Sequence, residues 1–298
     1  MRERREKIVL NKRIDEGLSL EAVWSYLNYF EIIENNIKII EKNINENYSG
    51  LDYQKIITEK AKTPNKYDLQ SIINQGHNLN PFATEIQLTI KQAKEYFFGS
   101  RYVSNLTKPV LLYYGMVQLG KTLILTTYSF KNPKPGHGLK MTDSNQAVGI
   151  FRRGFFSRFH DCLSSDIFYC NEPKFELKQL LESLPELKYY RELLDSNQPF
   201  TIKSPLTNGT FRRDVLSQPE VINNIRLTKL DVYFIIMFFL SSLVRYNPTQ
   251  WNKICIGEDP QIFIINEFLR LSEKVFPNLI LNELTGLNHI FIPESVSS

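Results

Sequence analysis

The stretch from Pro109 to Tyr128 reads PVLLYYGMVQLGKTLILTTY, and its structure decides the fold of the chain. Within it, Gly115 to Thr122 match G-x-x-x-x-G-K-[ST], the pattern of a phosphate-binding loop, and an apolar run precedes them. The same residues also fit one long buried helix that contains no loop. The first interpretation predicts a P-loop nucleotide hydrolase that uses residues 115–122, whereas the second predicts no particular chemistry.

The residues between the two glycines favour the helix. A phosphate-binding loop turns its backbone N–H groups inward, so small or polar residues are usual at these positions. This chain instead has Met116, Val117 and Leu119, which are large and apolar. Apolar residues also recur at helical spacing and form one stripe, which consists of Leu112, Met116, Leu119 and Leu123. We therefore predict a helix from about Lys108 to Tyr128.

A nucleotide hydrolase would also need a carboxylate that binds Mg²⁺ at the end of a buried strand. The later apolar runs do not end in an aspartate, because Asp231 precedes its run and Glu267 follows Ile265 after one intervening residue. Nucleotide hydrolysis is therefore kept as a second alternative, with Lys121 as the candidate phosphate ligand.

The bulk composition is that of an ordinary globular protein. Of the 298 residues, 42% are apolar and 23% are charged, and the three cysteines form no C-x-x-C pair. We find no apolar leader segment, and the longest apolar run, Val232–Val244, is shorter than the roughly 20 residues of a membrane span. These features predict a cytoplasmic protein that makes no membrane contact.

The positive charge leaves nucleic-acid binding open. A net charge of +4 is too small to predict it alone, but several arginines occur close together. Each could contact a phosphate or lie on a solvated surface. They are Arg152, Arg153, Arg158, Arg212 and Arg213.

The hydrophobic pattern predicts a mainly α fold, with many helices and a small β insert after the central long helix. Strands do not alternate regularly with helices, which argues against a doubly wound sheet. We expect an N-terminal helical segment at 1–81 and a helical domain at 82–298, with one continuous domain, 1–298, as the alternative. Predicted helices cover about 19–40, 51–61, 82–99, 108–128, 175–194, 228–246 and 259–275. Predicted short strands are Val148–Phe151, Phe155–Phe156, Ile167–Tyr169, Phe200–Lys203 and His289–Pro293.

Arg153 and His160 fit the R-x(4–6)-H spacing of HEPN ribonucleases. In such an enzyme the arginine stabilises phosphate charge, and the histidine handles protons during attack by the RNA 2′-OH. A surface arginine near a packed histidine explains the same residues, and the segment is more typical of a β turn than of a helix. A HEPN-like, metal-independent ribonuclease is therefore the first alternative function.

Two further residues are candidates for ligand binding. His137 lies between two glycines, where a ligand can approach closely or the ring can bond back to the helix end. Arg245 ends the most apolar helix, where it can cap carbonyls, stack on a ring or bind phosphate. The catalytic candidates are thus Arg153, His160 and His137, and the phosphate-binding candidates are Lys121 and Arg245. No metal site is expected, because the four histidines are widely separated.

Several segments resemble the YaaC family of bacterial proteins, in the order in which they occur there. They are Ala93–Phe97, Lys108–Lys121, His137–Leu139, Gly154–Phe156, Leu180–Leu187 and Ser241–Trp251. The last two are similar to its L-L-x-x-I-P-E-L element and to its R-Y-x-P/E-x-x-W helix end. In that family the position of Gly120 is not reliably glycine, which implies that the phosphate-loop pattern arose inside a helix.

The resemblance also implies a setting for the protein. Proteins that look like this family occur beside bacterial antiphage genes, which implies a role in defence. We expect a helical protein that acts mainly as an interaction, sensor or effector subunit of a bacterial multi-component system. It is expected to bind a protein partner, to use no cofactor or metal, and not to be an enzyme.

Overall fold

Helices make up most of the computed structural model, which describes residues 10–14, 16–48, 79–127, 136–142, 147–151, 153–164, 173–195, 220–222, 225–257 and 261–292. The helices in these ranges are α1 (Leu20–Leu27), α2 (Ile33–Tyr48), α3 (Asn80–Gly99), α4 (Lys108–Thr126), α5 (Phe155–Leu163), α6 (Leu177–Glu182), α7 (Lys188–Asp195), α8 (Lys229–Tyr246), α9 (Pro248–Cys255) and α10 (Ile262–Thr285). The strands are β1 (Leu10–Ile14), β2 (Leu139–Met141), β3 (Ala147–Ile150), β4 (Lys174–Glu176), β5 (Glu220–Ile222), β6 (Ile225–Leu227) and β7 (Leu287–Phe291). The predicted mainly α fold is confirmed.

Helix α4 lies at the centre of the packing, in contact with α3, α5, α8 and α10. Because α4 runs without a break from Lys108 to Thr126, the helix predicted across the phosphate-loop pattern is confirmed. Both glycines of the pattern allow close packing: a Cβ at Gly115 would lie 2.8 Å from Cδ2 of Phe97, and one at Gly120 would lie 2.7 Å from Cζ of Phe155. Aromatic rings from α3 and α5 thus occupy the space that any larger residue would need.

Helix α8 is the most deeply buried element, since every residue from Leu230 to Leu243 is buried. It begins with a capping box in which Thr228 and Asp231 each accept a hydrogen bond from the other's backbone N–H. No described helix alone has the length and apolar content to cross a membrane, and α8 qualifies only together with α9, to which it is bent by 113°.

The strands of the described chain form small sheets beside the helices. β2, β3 and β4 make one antiparallel sheet, which confirms the β insert predicted after the central helix. β5 and β6 make an antiparallel pair. β1 and β7 pair in parallel, with Leu10 opposite Leu287 and Ile14 opposite Phe291, and the predicted C-terminal strand is thus confirmed.

The sequence predictions were wrong in two segments. Phe155–Phe156 does not form a strand but begins helix α5, because the buried residues from Phe155 to Leu163 recur at helical spacing against the core. The segment was also expected to be a β turn, and this was wrong for the same reason. The last long helix, α10, continues to Thr285, although the prediction ended it at residue 275, before Pro277. Burial of its apolar residues on both sides of the proline favours the longer helix.

The predicted helix at 51–61 and the predicted strands at 167–169 and 200–203 lie outside the described residues. The boundary at residue 81 stays a prediction. Contacts join its two sides; among them, the buried amide of Asn36 donates to the Ala83 carbonyl at 3.2 Å, and β1 pairs with β7.

Replacing Gly120 with alanine tests whether this glycine serves packing. Alanine favours a helix over glycine by about 1 kcal/mol, but overpacking a core costs about 1–3 kcal/mol. The Phe155 ring cannot move away easily, because it stacks on the rings of Phe159 and Phe234, with centroid distances of 6.1 and 5.4 Å. We expect Gly120→Ala to lower the free energy of unfolding by about 1–2 kcal/mol in urea denaturation.

Gly99→Ala is the matched control, since a Cβ there would meet nothing within 4 Å. This change should leave the protein as stable or stabilise it by up to about 1 kcal/mol. Equal stability of the two variants would contradict the packing role of Gly120.

Candidate functional site

The phosphate-loop residues form part of the helical core rather than a cradle. Gly115 and Gly120 are buried in α4, and Thr122, which would bind Mg²⁺ in a P-loop, is also buried. Its hydroxyl oxygen lies 2.9 Å from that of Thr89 on α3, so it already has a hydrogen-bond partner. Lys121 is only half-buried on the same helix. A phosphate could reach these amides only if α4 unwound.

His160 is fully buried and links two helices. Its Nδ1 lies 3.0 Å from Oδ2 of Asp231, and the same oxygen accepts from the backbone N–H and hydroxyl of Thr228 at 2.8 and 2.7 Å. The histidine of α5 is therefore tied to the N-terminal cap of α8. Arg153 is exposed and precedes α5. The arrangement stabilises the fold, and it does not present His160 to an RNA strand.

His137 lies at the surface, and its position is fixed by glycines. Gly136 and Gly138 have φ angles of 114° and 73°, which residues with side chains rarely adopt. The carbonyls of Gly136 and His137 accept from the first two amides of α5, those of Phe155 and Phe156, at 3.0 and 2.9 Å. Residues 136–138 thus satisfy backbone donors that a helix N-terminus leaves unpaired.

A buried tyrosine forms a hydrogen bond with the ring of His137. Tyr113 of α4 has its hydroxyl 2.7 Å from Nδ1 of His137, and burial raises the pKa of Tyr113, which keeps the phenol protonated. Partial burial, and secondly the positive charge of Arg245, lower the pKa of His137. The imidazole is therefore neutral at pH 7.

Arg245 joins the same group from the C-terminal end of α8. Its guanidinium carbon lies 5.6 Å from the ring centroid of Tyr113 and 4.9 Å from that of Tyr246. Its Nε donates to the Ser241 carbonyl at 3.1 Å. The structure therefore brings together two of the predicted residues, His137 and Arg245, around Tyr113. We call these three side chains the Tyr113 cluster.

A second polar group was missed by the sequence analysis. Glu186 Oε1 lies 2.9 Å from Nζ of Lys229, and the hydroxyl of Tyr233 donates to the same oxygen. Only 10% of the Lys229 side chain and 5% of the Glu186 side chain is exposed. Burial, and secondly Glu186, raise the pKa of Tyr233. The signal in the sequence that could have indicated this group was a charged residue, Glu186, between Pro185 and apolar leucines.

The arginines predicted to contact nucleic acid are only partly described. Arg152, Arg212 and Arg213 lie outside the described residues. Arg158 lies 3.6 Å from Asp161, which offsets part of its charge. Across the described ranges, no three His, Cys, Asp or Glu side chains come together as a candidate metal site.

Replacing Asp231 with alanine tests the link between His160 and the cap of α8. The change removes an N-cap contact and leaves a buried polar ring without this acceptor. We expect the free energy of unfolding to fall by about 2–4 kcal/mol in urea denaturation. Asp161→Ala, which removes an exposed carboxylate from α5, should cost less than about 0.5 kcal/mol. Similar losses in both variants would show that the buried contact contributes little.

Comparison with known proteins identifies the family. The sequence model described as YaaC-like Protein matches residues 52–218 and 203–284. Comparisons with curated proteins and with solved structures give no match. The matched ranges contain α3 to α9, and with them the Tyr113 cluster, the His160–Asp231 contact and the Glu186–Lys229 ion pair. Because the two ranges cover most of the sequence, the chain belongs to the YaaC-like protein family.

Proposed function

We propose that this YaaC-like protein is an interaction subunit of a bacterial multi-component system and binds a protein partner beside helix α9. Four large side chains are exposed there: Tyr102 by 89%, Leu106 by 45%, Tyr246 by 76% and Ile256 by 62%. We call them the α9 surface, and their exposure is the observation that carries the proposal. Aromatic residues are enriched at protein interfaces, and contiguous exposed apolar side chains mark such sites.

The four residues are grouped by the chain and by contacts of Trp251. Tyr246 is the last residue of α8 and is separated from α9 by one residue, and Ile256 directly follows α9. The indole N–H of Trp251, in the middle of α9, lies 3.2 Å from the carbonyl oxygens of both Asn105 and Leu106. The connection between α3 and α4, which carries Tyr102 and Leu106, is thereby held against α9.

Polar contacts also fix this connection to α10. The side-chain amide of Asn105 donates to Oδ1 of Asn266 at 2.8 Å. Lys108, at the start of α4, lies 2.7 Å from Glu273, and 17% and 15% of the two side chains are exposed. A surface that is ordered in advance loses less conformational entropy on binding. These contacts therefore support a preformed interface.

The chemistry of the four residues suggests the kind of partner. Two of them are tyrosines, which present an apolar ring together with a hydroxyl. We expect a partner protein with an apolar pocket and nearby hydrogen-bond acceptors. We propose a cytoplasmic antiphage system as its setting, and the antiphage part is supported by the resemblance of the sequence to proteins encoded beside defence genes.

Charged substitutions on the α9 surface should release the partner. We expect Leu106→Asp and Ile256→Asp each to weaken its binding at least about tenfold, because loss of a hot-spot side chain typically costs about 2 kcal/mol or more. The measurement is co-purification of the tagged full chain from its source cells, followed by titration of the identified partner against the pure variants.

Leu88→Asp is the control, since Leu88 is 52% exposed but lies roughly 17 Å along α3 from its C-terminal end. This variant should bind normally. Equal binding by Leu88→Asp, Leu106→Asp and Ile256→Asp would contradict the proposed surface. Turnover of RNA or ATP by the pure protein would instead favour the ribonuclease or the nucleotide hydrolase.

A further inference from the structure

The Tyr113 cluster presents hydrogen-bond donors to solvent. The Tyr113 hydroxyl is protonated and needs an acceptor, and Nδ1 of His137 lies 2.7 Å from it. We therefore assign Tyr113 as the donor and Nδ1 as the acceptor. A neutral imidazole with an unprotonated Nδ1 carries its hydrogen on Nε2. Because His137 is an exposed residue, we assign this N–H as the donor that a ligand can reach.

Arg245 has donors to spare. Its Nε is bonded to the Ser241 carbonyl, and Nη2 makes only long contacts of 3.5 and 3.4 Å with the hydroxyls of Ser241 and Ser242. Within the described ranges no carboxylate pairs with this guanidinium, unlike Arg270, which pairs with Glu267. A half-buried arginine without a counter-ion attracts anions from solution.

Rigid parts of the fold hold both donors near the ring of Tyr113, and the charge of Arg245 acts on His137. The ring centroid of His137 lies 5.7 Å, and the guanidinium carbon of Arg245 lies 5.6 Å, from the ring centroid of Tyr113. Tyr113 is completely buried and His137 is fixed by its backbone bonds to α5, so little order has to be created on binding.

We propose that His137 and Arg245 form a binding site for a phosphate group carried by a small molecule. Phosphate is favoured over carboxylate because it offers a third acceptor oxygen to donors that come from two separate elements. The Nε of the guanidinium is already engaged with Ser241, so the anion would be held through the Nη groups. The exposed ring of Tyr246, 4.9 Å from the guanidinium, can cover an attached base.

Phosphate titration followed by NMR of ring-labelled histidine tests the site in the full chain. The sequence has four histidines, so each ring can be followed separately. Inorganic phosphate should shift the His137 resonances and raise the pKa of its ring, because an anion stabilises the charged imidazolium. The buried rings of His160 and His289 should not respond. AMP should bind more tightly than inorganic phosphate, and acetate should bind at least about tenfold more weakly.

Matched arginine variants separate this site from general attraction by the positive surface. Arg245→Gln should weaken phosphate binding at least about tenfold, whereas Arg270→Gln should change it less than roughly twofold. His137→Gln, which leaves α4 and α8 unaltered, should weaken it as well and serves if Arg245→Gln does not fold. The proposal would be overturned by an unchanged His137 resonance, by equal binding to Arg245→Gln and Arg270→Gln, or by equal affinity for acetate. Substitutions on the α9 surface at Leu106 and Ile256 leave these donors in place, so loss of the partner and loss of phosphate binding are distinguishable.

Discussion

Helix α4 can lie against α3 and α5 only because it carries hydrogen atoms, not side chains, at the points where the rings of Phe97 and Phe155 approach it. Close packing of α5 then places its first amides within reach of the carbonyls of Gly136 and His137. Tyr113, two residues before the first of the α4 glycines, reaches His137 across the same junction. The position of the surface histidine is therefore a consequence of core packing, and a bulkier α4 would displace it.

The sequence was sufficient for the elements whose stability comes from their own apolar pattern. The stripe along α4 and the run from Leu230 to Leu243 predict buried helices, and both are present. The sequence was insufficient where a distant segment determines the local structure. β1 forms a strand by pairing with β7, and the sequence of Leu10–Ile14 does not by itself indicate that partner. The Tyr113 cluster joins three separate segments, so His137 and Arg245 could each be named but not connected.

Burial separates histidines that look equivalent in the sequence. His160 has an arginine at the spacing of a ribonuclease, yet its ring is buried and tied to Asp231, where the contact holds α5 to α8. His137 has no motif beyond its glycines, yet its ring is exposed beside a guanidinium. Spacing within one segment reports local geometry alone, whereas access to a ligand depends on what the other helices cover.

Four of the segments on which the family resemblance rests meet at one junction. The α4 segment supplies Tyr113, and residues 137–139 supply His137. Residues 154–156 begin α5, whose Phe156 amide donates to the His137 carbonyl, and the end of α8 supplies Arg245. Packing explains the glycines and the phenylalanines of these segments. It does not require an exposed histidine, or an arginine beside two tyrosine rings that pairs with no carboxylate of the described ranges. The anion site proposed above would give those two side chains a common purpose.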